Sequence, residues 1–235
     1  MNKIKNVTGI VQARMGSTRF PGKMLMNLGQ YPVIEWVLRR SKQSDSLDKV
    51  ILATSDLSID DELDKIANKL KIDVYRGSEV DVLGRFYGAA DRYETDTIVR
   101  ICADNPFIDP YEIKRLINFY NNNNCDYACN HQDRLGSGYV DGFGAEIFSK
   151  NILIDINSRA KEEKYREHVT LFLWDNMDKY ILKSVPSPKV LNYPNLRFDV
   201  DTVADLTYLN NLLGNNLNEI KPEKLNIHDI LSQLI

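Results

Sequence analysis

Cysteine is scarce in this 235-residue chain: there are three, Cys102, Cys125 and Cys129, and no two form a C-x-x-C pair. An odd, sparse count excludes a disulfide framework and fits a reducing cytosol. Cys125 and Cys129 have no second pair to complete a zinc site, so all three read as small core or near-core residues. Excess positive charge is also lacking. Thirty Lys and Arg stand against 33 Asp and Glu, a net charge of −3, whereas a nucleic-acid binder is normally basic. No apolar run approaches the ~20 residues needed to cross a bilayer. The start has no apolar stretch followed by a small-residue cleavage site. A cytoplasmic protein with no membrane and no nucleic-acid partner is expected. Internal repeats are missing, and no linker is long enough to mark a domain boundary.

What is present is the composition of a globular protein, 43% hydrophobic and 27% charged, in a chain long enough to bury a real core. Short apolar runs alternate with longer amphipathic ones. Strands are expected at Val7–Gln12, Val50–Thr54, Asp73–Tyr75, Thr97–Ile101 and Asp126–Cys129. Helices are expected between them, at Pro32–Ser41, Ile59–Leu70, Val80–Tyr93 and Pro110–Tyr120. Ser58 is the expected cap of the second helix and Ser78 of the third, while Pro110 follows Asp109 at a first helical position. Such alternation predicts βαβ units around a mostly parallel sheet. After the Asn121–Asn124 turn the order changes. A short glycine-flanked strand is expected within Tyr139–Phe148, a helix at Arg159–Asn176, strands at Tyr180–Val185 and Arg197–Val200, and helices at Val203–Leu213 and Ile227–Leu234. One domain is expected, built of two halves, about 1–130 and about 131–235.

The chemistry starts at the front. The β-prone run Val7–Gln12 breaks into Ala13-Arg14-Met15-Gly16-Ser17-Thr18-Arg19-Phe20-Pro21-Gly22-Lys23-Met24-Leu25, and a helix follows. Backbone N–H groups of such a loop can cup anionic oxygens, and its three cations, Arg14, Arg19 and Lys23, can neutralise charge that builds up during transfer. The order of a P-loop is absent. In a chain of net negative charge these cations are local, aimed at a small polyphosphate.

Ala13, Arg14, Ser17, Thr18, Arg19, Pro21, Gly22, Lys23 and Leu25 match the pattern A-R-x-x-S-T-R-x-P-G-K-x-L. This stretch resembles the nucleotide-binding loop of cytidylyltransferases that activate acidic sugars, in particular the spore-coat polysaccharide branch, with the CMP-Kdo and CMP-sialic acid synthetases as cousins. The resemblance implies an α/β fold: a mixed, mostly parallel central sheet flanked by helices, Rossmann-like and related to the GT-A glycosyltransferases. It also implies nucleotide contacts at Ala13, Arg14, Met15, Gly16, Ser17, Arg19 and Lys23.

Further segments extend it as far as Leu206. Thr97–Ile101 ends in Cys102-Ala103-Asp104-Asn105-Pro106, and ligands bind at the carboxyl ends of strands in open α/β sheets. Asp-Asn-Pro is ordinary turn chemistry, but the resemblance places Asp104 at the family's metal-binding element, with Ala103 where Gly is frequent. Asp199-Val200-Asp201-Thr202 puts two carboxylates on one strand face. By resemblance Asp201 is the second metal ligand, and Asp205 reads as a structural first-turn acid. In Arg76-Gly77-Ser78-Glu79-Val80-Asp81-Val82-Leu83-Gly84-Arg85-Phe86, Arg76, Gly77, Asp81 and Leu83 are assigned near the base and ribose, together with Ser55. A capped helix start explains that segment equally well. Glu146, Arg166, His168 and Arg197 are the candidates for the acceptor, with a helix residue satisfied by its neighbours as the rival reading of His168.

The implied reaction joins CTP to a sugar acid or polyol phosphate and releases pyrophosphate, for surface glycan synthesis. Mg²⁺ would be the cofactor, Arg14, Lys23 and Asp104 the catalytic residues, and a homodimer the expected assembly. A glycosyltransferase of similar fold and a non-catalytic nucleotide-binding protein are the two other readings. The first would be expected to carry Asp-x-Asp after a central strand, where Cys102-Ala103-Asp104 stands.

Overall fold

The computed structural model describes residues 5–17, 19–214 and 220–234; Thr18 of the opening motif lies outside them. The strands are β1 (Val7–Gln12), β2 (Asn27–Leu28), β3 (Tyr31–Pro32), β4 (Lys49–Ser55), β5 (Asp73–Gly77), β6 (Thr97–Cys102), β7 (Tyr127–Cys129), β8 (Glu146–Ser149) and β9 (Leu182–Ser184). The helices are α1 (Val33–Lys42), α2 (Asp61–Lys69), α3 (Val82–Arg92), α4 (Pro110–Asn122), α5 (Lys150–Arg159), α6 (Glu163–Glu167), α7 (Leu171–Trp174), α8 (Val203–Leu213) and α9 (Ile227–Leu231).

Seven strands form one sheet in the order β5-β4-β1-β6-β8-β7-β9, and β2 pairs with β3 apart from it. β5, β4, β1 and β6 run parallel. β8 is antiparallel to both β6 and β7, and β9 is parallel to β7. The expected mixed, mostly parallel sheet is what forms. Its parallel strands are apolar on both faces because helices cover both. Val7 and Val11 of β1 join one buried cluster with α1, α4 and α8, while Ile10 joins a second with α3 and α5. The chain moves outward from β1 to β4 and β5, then returns to the other side of β1 with β6. The crevice at the carboxyl ends of β1 and β6 is therefore a topological switch point. Among the described residues, no helix is long and apolar enough to cross a membrane.

Several segments differ from the sequence expectation. The single helix expected over Arg159–Asn176 is broken into the end of α5, α6 and α7. Ala160 and His168 leave helical geometry, at ψ 95° and 91°. Arg166 folds back to donate to the carbonyls of Asn157 and Ala160, at 3.2 and 3.3 Å, which closes the last turn of α5. α5 itself was not anticipated; Ser149 Oγ caps it by accepting from Ile152 N. Arg197–Val200 is extended but forms no strand. Its pairing is a single bridge between Asp141 and Arg197, and Val200 N–H donates instead to Asp104 O at 2.7 Å. Gly142, at φ 105°, lets this segment pass, since a Cβ there would meet Phe198 at 3.0 Å. Neither expected serine stands at an N-cap, although Ser78 Oγ does accept from Asp81 N at 3.1 Å. Asp60 stands at the N-cap of α2 without bonding the helix, and Asp81 caps α3 through Gly84 N. Asp109 caps α4 ahead of Pro110.

Candidate active site

Residues Gln12 and Cys102 are register partners at the ends of β1 and β6, so the loops that follow start side by side. Ala103 N–H donates to Gln12 O, and Ala13 N–H to Ala53 O of β4, both at 3.2 Å. Beyond Ala13 the loop is held by Asp60, which is fully buried. One of its oxygens accepts from Met15 N at 2.8 Å, and the other accepts from Thr54 Oγ1 and Ser55 N. Gly22, at φ 74°, turns the chain so that Lys23 faces inward.

Three distant segments meet at Lys23. Its ammonium donates to Val200 O at 2.8 Å, to Asp201 Oδ1 at 3.2 Å and to Asp104 Oδ2 at 3.3 Å. Lys23 is 8% exposed. Asp201 also accepts from Arg19 Nη1 at 2.7 Å and from Arg197 Nη2 at 3.3 Å. Asp205, in a capping box with Thr202, accepts from Asp201 N–H and so fixes the backbone beneath that carboxylate. Arg14 bridges Glu79 O and Glu167, both at 3.1 Å. Burial, with Asp199 and Asp104 nearby, pushes the Asp141 carboxyl up to about 7.

A cavity of about 390 Å³ opens over this junction. Ala13, Arg14, Gly16, Ser17, Arg19, Lys23, Asp104 and His168 are all on its wall. A second cavity of about 460 Å³ adjoins it and shares Arg100, Cys102 and His168. Burial pushes the Cys102 thiol up to about 12, so it stays protonated there. Among the described residues, no group of three or more His, Cys, Asp and Glu is placed to hold a metal ion. Asp104 and Asp201 are, however, two carboxylates converging on one cationic centre, a hard-oxygen donor pair suited to Mg²⁺.

Other expected site residues lie elsewhere. Ser55 and Leu83 are fully buried. Arg76 donates to Ser55 O and Leu57 O and pairs with Asp61, and Gly77 O accepts from Asp56 N. Asp81 binds Arg166 through both oxygens, at 2.8 and 2.7 Å. Burial works against that carboxylate's charge, but Arg166 and Gly84 N–H hold its pKa below the ordinary value. Arg197 grips Asp199 through two nitrogens. None of Ser55, Arg76, Gly77, Asp81, Leu83, Arg166 and Arg197 lines either cavity. Both guanidinium groups, Arg166 and Arg197, are engaged by carboxylates of the chain in this structure.

Glu146 does line the second cavity, but it is 2% exposed. It accepts from Tyr127 Oη at 2.6 Å, from Thr170 Oγ1 at 3.1 Å and from Arg100. Burial alone would raise its pKa; Arg100 and the other donors bring it down to about 2. It braces the wall, with three donors already on its two oxygens. Asp141, His131 and Arg134 belong to no motif of the sequence, and Asp60 reads there only as a first-turn acid of the second helix. Asp60 sits in the run Asp60-Asp61-Glu62, where only burial separates it from two surface acids.

A family model described as cytidylyltransferase matches residues 8–225. The spore coat polysaccharide biosynthesis protein SpsF of Bacillus subtilis is 34% identical over 207 residues, which is 86% of this chain and 84% of that protein. Among solved structures, a cytidylyltransferase from Leptospira borgpetersenii superposes with a TM-score of 0.87 at 28% identity, covering 97% of this chain and 93% of that one. A CMP:2-keto-3-deoxy-manno-octonic acid synthetase complexed with CTP shares the fold, with a TM-score of 0.65 at 17% identity over 89% of this chain and 98% of that one. The chain belongs to the cytidylyltransferase family of nucleotidyltransferases.

Proposed function

We propose that this cytidylyltransferase moves CMP from CTP to the hydroxyl of a sugar acid or polyol phosphate and releases pyrophosphate, for polysaccharide synthesis. The observation that carries the reading is the Lys23 junction: one nearly buried ammonium shared by Asp104, Asp201 and Val200 O, at the sheet's switch point. The name of the SpsF relative supports the polysaccharide setting, and the CTP bound to a relative of the same fold supports the nucleotide.

The triphosphate lies in the first cavity, along the backbone of Ala13–Ser17. The acceptor oxygen attacks the α-phosphorus in line, the bond from that phosphorus to the β-phosphate bridging oxygen breaks, and pyrophosphate leaves with the electron pair. Phosphoryl transfer of this kind depends mainly on positioning and charge neutralisation. Lys23 stabilises the charge that grows on the transferring phosphate. Arg14 and Arg19, at the mouth of the cavity, hold the β- and γ-phosphates, where the arginine fork suits phosphate oxygens. Asp104 takes the proton of the attacking hydroxyl. Asp104 and Asp201 would hold Mg²⁺, which supplies charge neutralisation to the triphosphate when bound. Residues 1–130 bind the nucleotide and 131–235 the acceptor within one domain, as a cytoplasmic homodimer.

Calorimetric titration with each of the four nucleoside triphosphates, with and without Mg²⁺, tests the nucleotide assignment. CTP binds selectively and more tightly with Mg²⁺, and the Mg²⁺ effect disappears in the double variant Asp104→Asn, Asp201→Asn. Binding of no triphosphate would overturn the reading.

A further inference from the structure

The second cavity holds a cation that has no ion pair among the described residues. Every other arginine on the walls of the two cavities has one: Arg14 with Glu167, Arg19 with Asp201, Arg100 with Glu146. Arg134 has none among the described residues. It lies over the face of Trp174, 4.4 Å from the ring centroid. With the Gln132 amide turned to satisfy its neighbours, its oxygen accepts from Arg134 Nε and Nη2 at 2.8 and 2.9 Å, and from His131 Nε2 at 2.8 Å. Two sides of the guanidinium are thus fixed without being neutralised.

The wall around it is rigid. Trp174 packs edge-on against Tyr127, with ring centroids 5.4 Å apart, and the Tyr127 hydroxyl is bound to Glu146. His131 is 8% exposed, and its Nδ1 lacks a partner, as does Trp174 Nε1. Interiors keep few polar atoms in that condition. A half-buried arginine held against an aromatic face, with no carboxylate partner, is an anion receptor.

We infer that Arg134 reads the anionic group of the acceptor, carboxylate or phosphate, in the cavity it shares with Trp174 and His131, while the acceptor's hydroxyl end reaches the first cavity past Arg100 and His168. This rests on the nucleotidyl-transfer reading for the identity of the acceptor, but the anion site stands on its own geometry. It assigns to Arg134 the duty that the sequence suggested for Arg166 and Arg197.

The test uses the full chain with saturating CTP and Mg²⁺, and three sets of probes: six- to nine-carbon 2-keto sugar acids, polyol phosphates, and the uncharged polyols. Pyrophosphate release is followed together with Trp174 fluorescence, with Trp174→Phe as the control for that signal. One charged set saturates and names the anion, while the uncharged polyols do not. Arg134→Ala raises the acceptor KM at least tenfold and leaves the CTP KM unchanged, and Arg134→Lys recovers part of the loss. Equal use of uncharged polyols, an unchanged acceptor KM in Arg134→Ala, or CTP binding with no response to any charged probe would overturn the inference. If CTP itself fails to bind, the parent reading falls. Fluorescence titration with the charged probes alone then decides: a response lost in Arg134→Ala upholds the anion site, and no response refutes it.

Discussion

At Lys23 a positive charge is nearly closed from solvent, yet three oxygens surround it. Three segments remote in sequence converge there, which ties the loop after β1 to the carboxylates after β6 and before α8. Asp104 and Asp201 were legible as carboxylates that follow apolar runs, and Lys23 as part of a long ordered motif. Arg134 was not legible, because nothing in a loop sequence tells a paired arginine from an unpaired one. His131 likewise stands in no motif, and the structure gives it a measurable consequence. Burial outweighs the attraction of Glu146 and lowers its pKa from 6.5 to about 4. The unfolded chain takes up a proton there that the folded chain refuses. His131 therefore adds its full stability above about pH 6.5 and loses it progressively as the pH falls toward 4, a range worth on the order of 3 kcal/mol. Glu146, held at about 2 against 4.5, adds a further loss only at lower pH. Asp141, pushed up to about 7, works the other way over the same range, because the folded chain holds a proton there that the unfolded chain releases. His131 is therefore read from the difference: as the pH falls below 6.5, the melting temperature of His131→Gln rises relative to that of the wild type. Identical slopes would show that His131 titrates normally.

Among the elements, the parallel strands were the most legible, because short apolar runs bounded by turns leave little choice of partner. Val7–Gln12 forms with its expected bounds, and β4, β5 and β6 fall within one or two residues of theirs. The region from 159 to 176 was not legible, since its apolar residues keep a helical spacing across both breaks. What decides the breaks is tertiary: Arg166 is drawn to Asp81 at the start of α3, 85 residues away, and to the carbonyls that end α5. This one side chain joins α3, α5 and α6. Arg166→Ala therefore lowers stability by about 1–3 kcal/mol, the cost of leaving partly buried polar groups unpaired, read as a shift in the urea midpoint. Because Arg166 lines neither cavity, the same variant keeps its CTP and acceptor KM values within about twofold at 25 °C. A tenfold rise in acceptor KM at unchanged stability would return Arg166 to the binding site.

In the whole molecule, one sheet carries both halves of the chain. β8 pairs with β6, so the wall of the second cavity continues the strand that leads to Asp104 in the first. That adjacency suits the proposed two-substrate transfer, with the nucleotide over the switch point and the acceptor on the antiparallel side. The fold class was readable from the alternation of runs; the joining of the two cavities was not, because it depends on β8 entering the sheet against the direction of its neighbours. The most direct test of the account is pyrophosphate release from CTP with the charged acceptor set, in wild type and Lys23→Ala. The account predicts CTP-dependent release in the wild type and a kcat lower by ~10²–10³ in the variant, the scale of losing a preorganised charge at the transferring group. Full activity in a folded Lys23→Ala protein would contradict it.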